Sequence, residues 1–176
     1  MNPTPDTALF REAVSRFATG ITVVTCRVKG ADHAMTANAF TSVSLEPLLV
    51  LVCVERATRF HQAMAQTDSW GVSILTRSAE GTARWLATKG RPLENQLAEV
   101  GHYYGPTTGA ALISGSLATL EVRTVATHLA GDHDVVVGQV EAIEVAADLP
   151  GAIEDRSPLL YYRRAYRHLD EPESLP

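Results

Sequence analysis

The chain has 176 residues, 45% of them hydrophobic and 20% charged, which excludes a disordered or fibrous protein. Its formal net charge is −5, and Lys29 and Lys89 are its only lysines, so no basic run can neutralise a row of phosphates. A nucleic acid is therefore not expected as a partner. We expect one domain over residues 1–176, with poorly ordered ends near 1–6 and 170–176.

We expect the chain to be neither exported nor inserted into a membrane. Its first residues lack a charged segment followed by an apolar one, and no apolar run approaches the roughly 18 residues of a membrane span. Cys26 and Cys53 each lie in an apolar run, and no CxxC motif occurs, which favours buried reduced thiols over a disulfide. We therefore expect a cytoplasmic protein without membrane contact.

The first predicted element is an amphipathic helix. Asp6 or Thr7 can cap its start, and apolar residues then recur at helical spacing as far as Phe17. We expect this helix to end near Gly20, where the pattern changes to that of a strand.

A hairpin and a further strand follow. The β-branched run 21–28 and the run 34–38, separated by a turn at 29–32, predict the hairpin. The run Leu48–Val54 is apolar at every position, which predicts a central strand with both faces buried.

The second half of the chain alternates further strands with short helices. The expected segments are a helix near 60–66, a strand at 70–75, a helix from Ser78 to Thr88, an irregular stretch at 91–111, and two long strands at 117–126 and 135–146 with a tight connection at 130–134. Short strands joined by hairpin turns favour a mostly β antiparallel barrel with a few flanking helices, because parallel strands would need crossover helices. No GxGxxG motif follows the first strand, so a separate dinucleotide-binding domain is not expected.

The segment Met35–Pro47 is the most informative part of the sequence, because small and hydroxylated residues crowd one strand and the turn that leaves it. Such residues let the backbone approach a ligand, and their N–H, hydroxyl and amide groups can bind a heteroaromatic edge or a phosphate. An ordinary polar β turn explains the same composition.

Five segments of the chain resemble the flavin reductase family that serves two-component monooxygenases. They are the stretch Phe17–Thr25 with Met35–Ser44 and Pro47–Val54, the turn and strand Gly131–Gly138, and the closing run Pro158–Tyr162. The resemblance runs from Phe10 to Leu169 in the family's order. It implies a split antiparallel β-barrel, usually a homodimer, that reduces FMN or FAD with NADH or NADPH and supplies a partner oxygenase.

The resemblance also assigns flavin-binding residues in two walls. The first wall comprises Thr36, Ala37, Asn38 and Ala39 beside the isoalloxazine, with Thr41 and Ser42 beyond them, and the second comprises Cys53, Val54, Thr58 and Arg59. Ser42, Thr58 and Arg59 are expected toward the ribityl phosphate. The chain has Ala39, Ala57, Phe60 and Arg164 where the family often has Ser, hydroxyl residues and Gly, which weakens the expected contacts at those positions.

His133 is the candidate catalytic residue. It lies in a Gly-Asp-His turn between two long strands, where an imidazole can bond a carboxamide or phosphate of the nucleotide, although a turn histidine is often merely solvated. Hydride transfer between the two cofactors needs no acid–base pair from the protein. We expect backbone N–H groups around Ala37–Ala39 to stabilise the reduced ring.

Two other functions remain open at this point. A barrel of this kind can carry a flavin or a tetrapyrrole without turnover. An activity like that of pyridoxamine phosphate oxidase would require more Arg and Lys in the phosphate pocket. The remaining histidines lack ligand spacing and no GxSxG motif occurs, so we expect neither a metal site nor a covalent hydrolase. The sequence does not distinguish FMN from FAD or NADH from NADPH.

Overall fold

A computed structural model describes residues 6–92, 94–146 and 157–169. The chain ends predicted to be poorly ordered, 1–5 and 170–176, lie outside the described residues. In the described part, no helix is both long and apolar enough to span a membrane.

The described chain contains three helices and twelve strands. The helices are α1 (Thr7–Val14), α2 (Arg59–Met64) and α3 (Glu80–Ala87), the last preceded by a 3₁₀ turn (Arg77–Ala79). The strands are β1 (Thr19–Gly20), β2 (Thr22–Val28), β3 (Ala31–Ala37), β4 (Phe40–Leu45), β5 (Leu48–Glu55), β6 (Ser69–Ile74), β7 (His102–Tyr104), β8 (Ala111–Ile113), β9 (Ala118–Ala130), β10 (His133–Val145), β11 (Leu160–Tyr162) and β12 (Ala165–Arg167).

Seven of the strands form one antiparallel sheet in the order β3-β2-β6-β9-β10-β5-β4. Its two edge strands, β3 and β4, are consecutive in the chain and are joined only by Asn38 and Ala39. The sheet must therefore curl until its edges approach each other, although no ladder joins β3 to β4 within the described residues. The predicted class, a mostly β split antiparallel barrel with a few helices, is confirmed.

Helix α1 is shorter than predicted. Asp6 caps it through a 2.7 Å bond from the Leu9 N–H, but it ends at Val14 instead of near Gly20. The chain then turns, because Thr19 and Gly20 pair with the closing strand β11. None of the residues of α1 is buried, so its apolar face has no cover from the described chain.

Strand β5 differs from its prediction in burial. It has partners on both sides, yet it is second from the sheet edge, and only alternate residues such as Val52 are buried. Leu51 and Cys53, on the other face, stay half-buried because no described layer covers that face. Strands β2 and β6 are instead the ones enclosed on both faces.

Both predicted hairpins are confirmed. The β2–β3 turn has Lys29 at φ 51° and Gly30 at φ 84°, the left-handed pair that a two-residue hairpin turn requires. Strands β9 and β10 are longer than predicted, with 13 residues each, and only Gly131 and Asp132 separate them. The segment 91–111, expected to be irregular, contains β7 and the first residue of β8.

Two hydrophobic clusters lie on opposite faces of β2. One fills the barrel, where Trp70 and Val52 are fully buried, and Phe60 of α2 closes it at the end of β5. Gly138 makes room there, because a Cβ at this position would lie 2.6 Å from the Trp70 ring. The other cluster lies beneath α3, around Leu75 and Leu86. Helices α2 and α3 are thereby fixed near the gap between β3 and β5.

Candidate functional site

A cleft of about 550 Å³ opens where the sheet is split. One of its walls is the end of β3 with the Asn38–Ala39 connection, and the facing wall is the end of β5 with the start of α2. The segment after α3 and the first residue of β10 complete the lining. The volume lies within the usual range for small-molecule sites.

The first wall presents both side chains and an unpaired sheet edge. Strand β3 pairs only with β2, so alternate backbone N–H and C=O groups along it lack a ladder partner. The Thr36 hydroxyl donates to the Ala83 carbonyl at 2.7 Å, which ties the wall to α3 and leaves only the hydroxyl's lone pairs for a ligand. The small side chains of Ala37 and Ala39 keep the backbone accessible.

The second wall is joined to the first by a backbone bond. The Cys53 N–H donates to the Ala39 carbonyl at 3.0 Å, so the two sides of the cleft have a fixed spacing at this point. Thr58 caps α2: its hydroxyl accepts from the His61 N–H at 3.2 Å and donates to the Glu55 carbonyl at 2.7 Å. Its main role in the structure is to turn the chain from β5 into α2.

His133 is the first residue of β10 and reaches the cleft beside Glu55, its partner in the sheet. Its Nδ1 lies 2.8 Å from a carboxylate oxygen of Asp132. This hydrogen bond lowers the pKa of Asp132, whose carboxylate is solvent-exposed. Because Nδ1 is engaged, Nε2 is the imidazole atom open to a ligand.

Three cationic side chains gather at one side of the cleft. Arg59 donates through Nη2 to the Arg91 carbonyl at 2.7 Å, and the side chain of Lys89 is 91% exposed. Burial, with the nearby charge of Arg59, lowers the pKa of Arg91. Lys89 Nζ lies 4.0 Å from a carboxylate oxygen of Glu55, which also lines the cleft. Within the described residues, neither guanidinium has a carboxylate at ion-pair distance, so the two arginines give this side positive charge that favours an anion.

Arg91 also fixes the segment that follows α3. Its guanidinium donates to the Thr88 carbonyl at 3.1 Å, to Gln96 Oε1 at 3.0 Å and to the Ala34 carbonyl on β3. Its buried Nε has no hydrogen-bond partner. This one side chain thus holds the loop against the first wall of the cleft.

Most of the residues assigned from the sequence meet in this one cleft. Those that line it are His133, Thr36, Ala37, Asn38, Ala39, Cys53, Thr58 and Arg59. Thr41 and Ser42 lie farther along β4, exposed and outside the lining. Val54 cannot offer its side chain to a cleft ligand, because alternation along β5 turns it fully into the barrel core.

Sequence reasoning missed the wall made by the loop after α3 and by the start of β3. Lys89 and Arg91 had a visible signal, two basic residues flanking a glycine in a chain with few cations. His33 had none, since it sits in a short hairpin strand. Burial lowers its pKa, which the charge of Asp32 partly opposes, and its buried Nδ1 has no partner.

Comparisons with known proteins agree on one family. The model of the flavin reductase like domain matches residues 14–170. The reductase component of 4-hydroxyphenylacetate 3-monooxygenase from Thermus thermophilus is 36% identical over 163 residues, which is 93% of this chain and 97% of that protein. An NADH-dependent flavin reductase from a Rhodococcus species is 34% identical over 163 residues, covering 91% of this chain and 85% of that one.

A solved structure shows the same architecture. The NADH:FAD oxidoreductase SgcE6 of Streptomyces globisporus, in complex with NAD and FAD fragments, superposes with a TM-score of 0.84. It is 32% identical, and the match covers 94% of each chain.

Proposed function

The chain belongs to the flavin reductase family, and from this premise we propose that it oxidises NADH, reduces FMN or FAD, and delivers the reduced flavin to a monooxygenase component. It is an NAD(P)H:flavin oxidoreductase. The observation that carries the proposal is the cleft itself, which unites the small-residue wall of β3, the His133 imidazole and a cationic side. We place the reaction in the cytoplasm, where NADH is available and where the free thiols Cys26 and Cys53 stay reduced.

The first wall fits a flavin ring. The side chains of Ala37 and Ala39 are small, and the edge of β3 has unpaired backbone groups of the kind that bind the polar rim of a heteroaromatic. When bound, the flavin supplies the acceptor chemistry: a hydride leaves C4 of the dihydronicotinamide and bonds to N5, giving the oxidised nucleotide and the reduced flavin anion. Backbone N–H donors around Asn38 stabilise negative charge at the bound ring without adding a cation.

His133 orients the nucleotide in this proposal. Asp132 holds its Nδ1, which sets the ring orientation and leaves Nε2 toward the cleft. An imidazole in this position donates to, or accepts from, the carboxamide or a phosphate of NADH. It therefore affects how the nicotinamide is placed, while the hydride itself needs no proteinaceous acid or base.

The cationic side receives the phosphate end of the flavin. Arg59 keeps donors beyond the Nη2 bond to Arg91, Lys89 reaches this side from its 4.0 Å contact with Glu55, and Arg91 adds charge from a half-buried position. This assignment moves the phosphate away from Ser42, which does not line the cleft, and leaves Thr58 as a helix cap.

A mixing experiment tests the proposed function. Pure protein, FMN or FAD, and NADH or NADPH are combined, and nucleotide absorbance is followed. We expect catalytic oxidation of NADH. A protein that binds flavin but leaves the nucleotide intact would instead be a flavin carrier without turnover. The variant His133→Ala should raise the NADH KM about tenfold with unchanged flavin affinity, and identical kinetics would remove His133 from the site.

We also propose that two copies of the chain associate. Helix α1 exposes an apolar face on which Phe10 is 63% exposed, and Phe17, shortly after the helix, is 77% exposed. The outer face of β5 and β10, continuous with the cleft, carries half-buried apolar residues including Leu51 and Val137. Isolated surfaces of this kind are normally covered by another chain, and a second copy offers the matching faces.

Light scattering during size exclusion tests the dimer. We expect twice the mass of one chain, and we expect Phe10→Glu to shift the protein toward monomer. Lys29→Glu, in an exposed hairpin turn, is the matched control and should leave the mass unchanged. A parent protein that runs as a monomer at micromolar concentration would contradict this part of the proposal.

A further inference from the structure

The carboxylate of Asp134 connects β10 to α2 on the side away from the cleft. Asp134 follows His133 on β10, but alternation along the strand directs it away from the cleft, toward a second cavity of about 560 Å³. Its Oδ2 lies 2.7 Å from Nε2 of His61 on α2, and its Oδ1 lies 3.6 Å from Nε of Arg56. The side chains of Asp134 and His61 are 14% and 22% exposed, so their contact is largely shielded from water, whereas the Arg56 side chain is 51% exposed.

These contacts connect the segment 56–61 to the start of β10. The same segment is tied by its backbone, because the Arg56 N–H donates to the Asp132 carbonyl at 3.0 Å. Arg59 lies within the segment and faces the cleft, while His133 lies at the start of β10 and faces the cleft as well. The relative placement of these two cleft side chains therefore depends on the contacts of Asp134 with the segment 56–61.

We propose that His61 and Asp134 form a positioning pair that sets His133 and Arg59 at the spacing needed to bind NADH and the flavin together. Neither residue of the pair lines the cleft, so they act through the residues that do. Short charge-assisted hydrogen bonds with little exposure fix geometry well, and supporting residues of this kind commonly govern the residues in contact with ligand. The inference rests on the proposed function for the identity of the ligands only.

Four variants test the pair. His61→Leu keeps the size of the side chain but removes the hydrogen bond, whereas His61→Gln keeps a donor at nearly the same reach. His133→Ala serves as the comparison within the cleft, and Gln62→Ala, on the exposed side of the same helix, is the matched control. All are measured well below their melting temperatures, so that only folded protein is compared.

The pair predicts a distinct pattern of binding. His61→Leu should raise both the flavin Kd and the NADH KM about tenfold, because it displaces residues at both ends of the cleft. His133→Ala should raise the NADH KM alone, and His61→Gln should recover most of the parent values. Parent-like Kd and KM in His61→Leu would overturn the proposal, as would a Gln variant no better than the Leu variant.

A second readout separates this inference from the proposed function. The imidazole signals of His133 in NMR spectra report its position without any turnover. They should move in His61→Leu and stay in place in Gln62→Ala. Failure of the parent protein to oxidise NADH would contradict the proposed function. Coincident His133 signals in the parent and in His61→Leu would instead contradict the positioning pair.

Discussion

Replacing Arg91 by methionine should remove the hydrogen bonds that hold the loop after α3 against β3, while keeping the apolar part of the side chain. The change removes three hydrogen bonds, to the carbonyls of Thr88 and Ala34 and to Gln96 Oε1. At about 1 kcal/mol net for each bond, the expected loss in the free energy of unfolding is about 3 kcal/mol. For a chain of this size that corresponds to a fall in melting temperature of roughly 6–12 °C.

Urea denaturation followed by circular dichroism measures this loss, and a flavin titration of the same variant measures its effect on the cleft. Arg91→Lys should recover only part of the stability, because one ammonium cannot match three acceptors in the geometry of a guanidinium. Arg16→Met, which breaks an exposed ion pair between Arg16 and Glu12 of α1, is the control and should cost less than about 1 kcal/mol. A methionine variant as stable as the parent would refute the role given to Arg91.

Three further predictions address packing, pH and thiol access. Gly138→Ala should destabilise the protein by about 3 kcal/mol in urea denaturation, since its methyl group meets the packed core, whereas Gly81→Ala, with open space at Cβ, should be neutral or stabilising; equal effects would contradict the packing. Because burial lowers the pKa of His33, the contribution of His33 to stability is complete above pH 6.5, the ordinary pKa of histidine, and declines as the pH falls below 6.5. His33→Asn should flatten this part of the stability–pH curve, and identical slopes in parent and variant would contradict the prediction. Maleimide should label Cys53 in the native protein and flavin should protect it, while Cys26, with its pKa raised by burial to about 12, stays unlabelled; labelling that flavin does not slow would place Cys53 away from the ligand.

Local patterns predicted the β framework well because each strand and each turn depends on residues that are close together in the sequence. The hairpin at 29–30 follows from its turn residues, and the strand at 70–75 from its apolar run. Helix α1 was predicted too long, since apolar spacing through Phe17 does not report the pairing of Thr19 with a strand about 140 residues later.

The site was predictable where a motif carries it and not where distant contacts build it. The segment 36–39 and His133 were assigned from local composition and a local turn, and the structure places them in one cleft, while their roles stay predictions. Val54 was assigned from a matching strand end, which does not say which alternate side chains face inward, and its side chain is fully buried in the barrel core. The hydrogen bond from Arg91 to the Ala34 carbonyl joins residues 57 apart in the sequence, and the His61–Asp134 pair joins residues 73 apart. No local periodicity in the sequence therefore predicts either contact.

The most direct measurement is an anaerobic mixing of protein, flavin and NADH in which the visible absorbance of oxidised flavin is followed for the parent and for Ala39→Trp. Ala39 is exposed and lines the cleft, so a tryptophan there fills the space assigned to the flavin without entering the core; Ala31→Trp, at an exposed position outside the cleft lining, is the control. We expect rapid bleaching by the parent and the control, and slow bleaching with lost flavin affinity in Ala39→Trp. Bleaching by Ala39→Trp at the parent rate would contradict the placement of the reaction in this cleft.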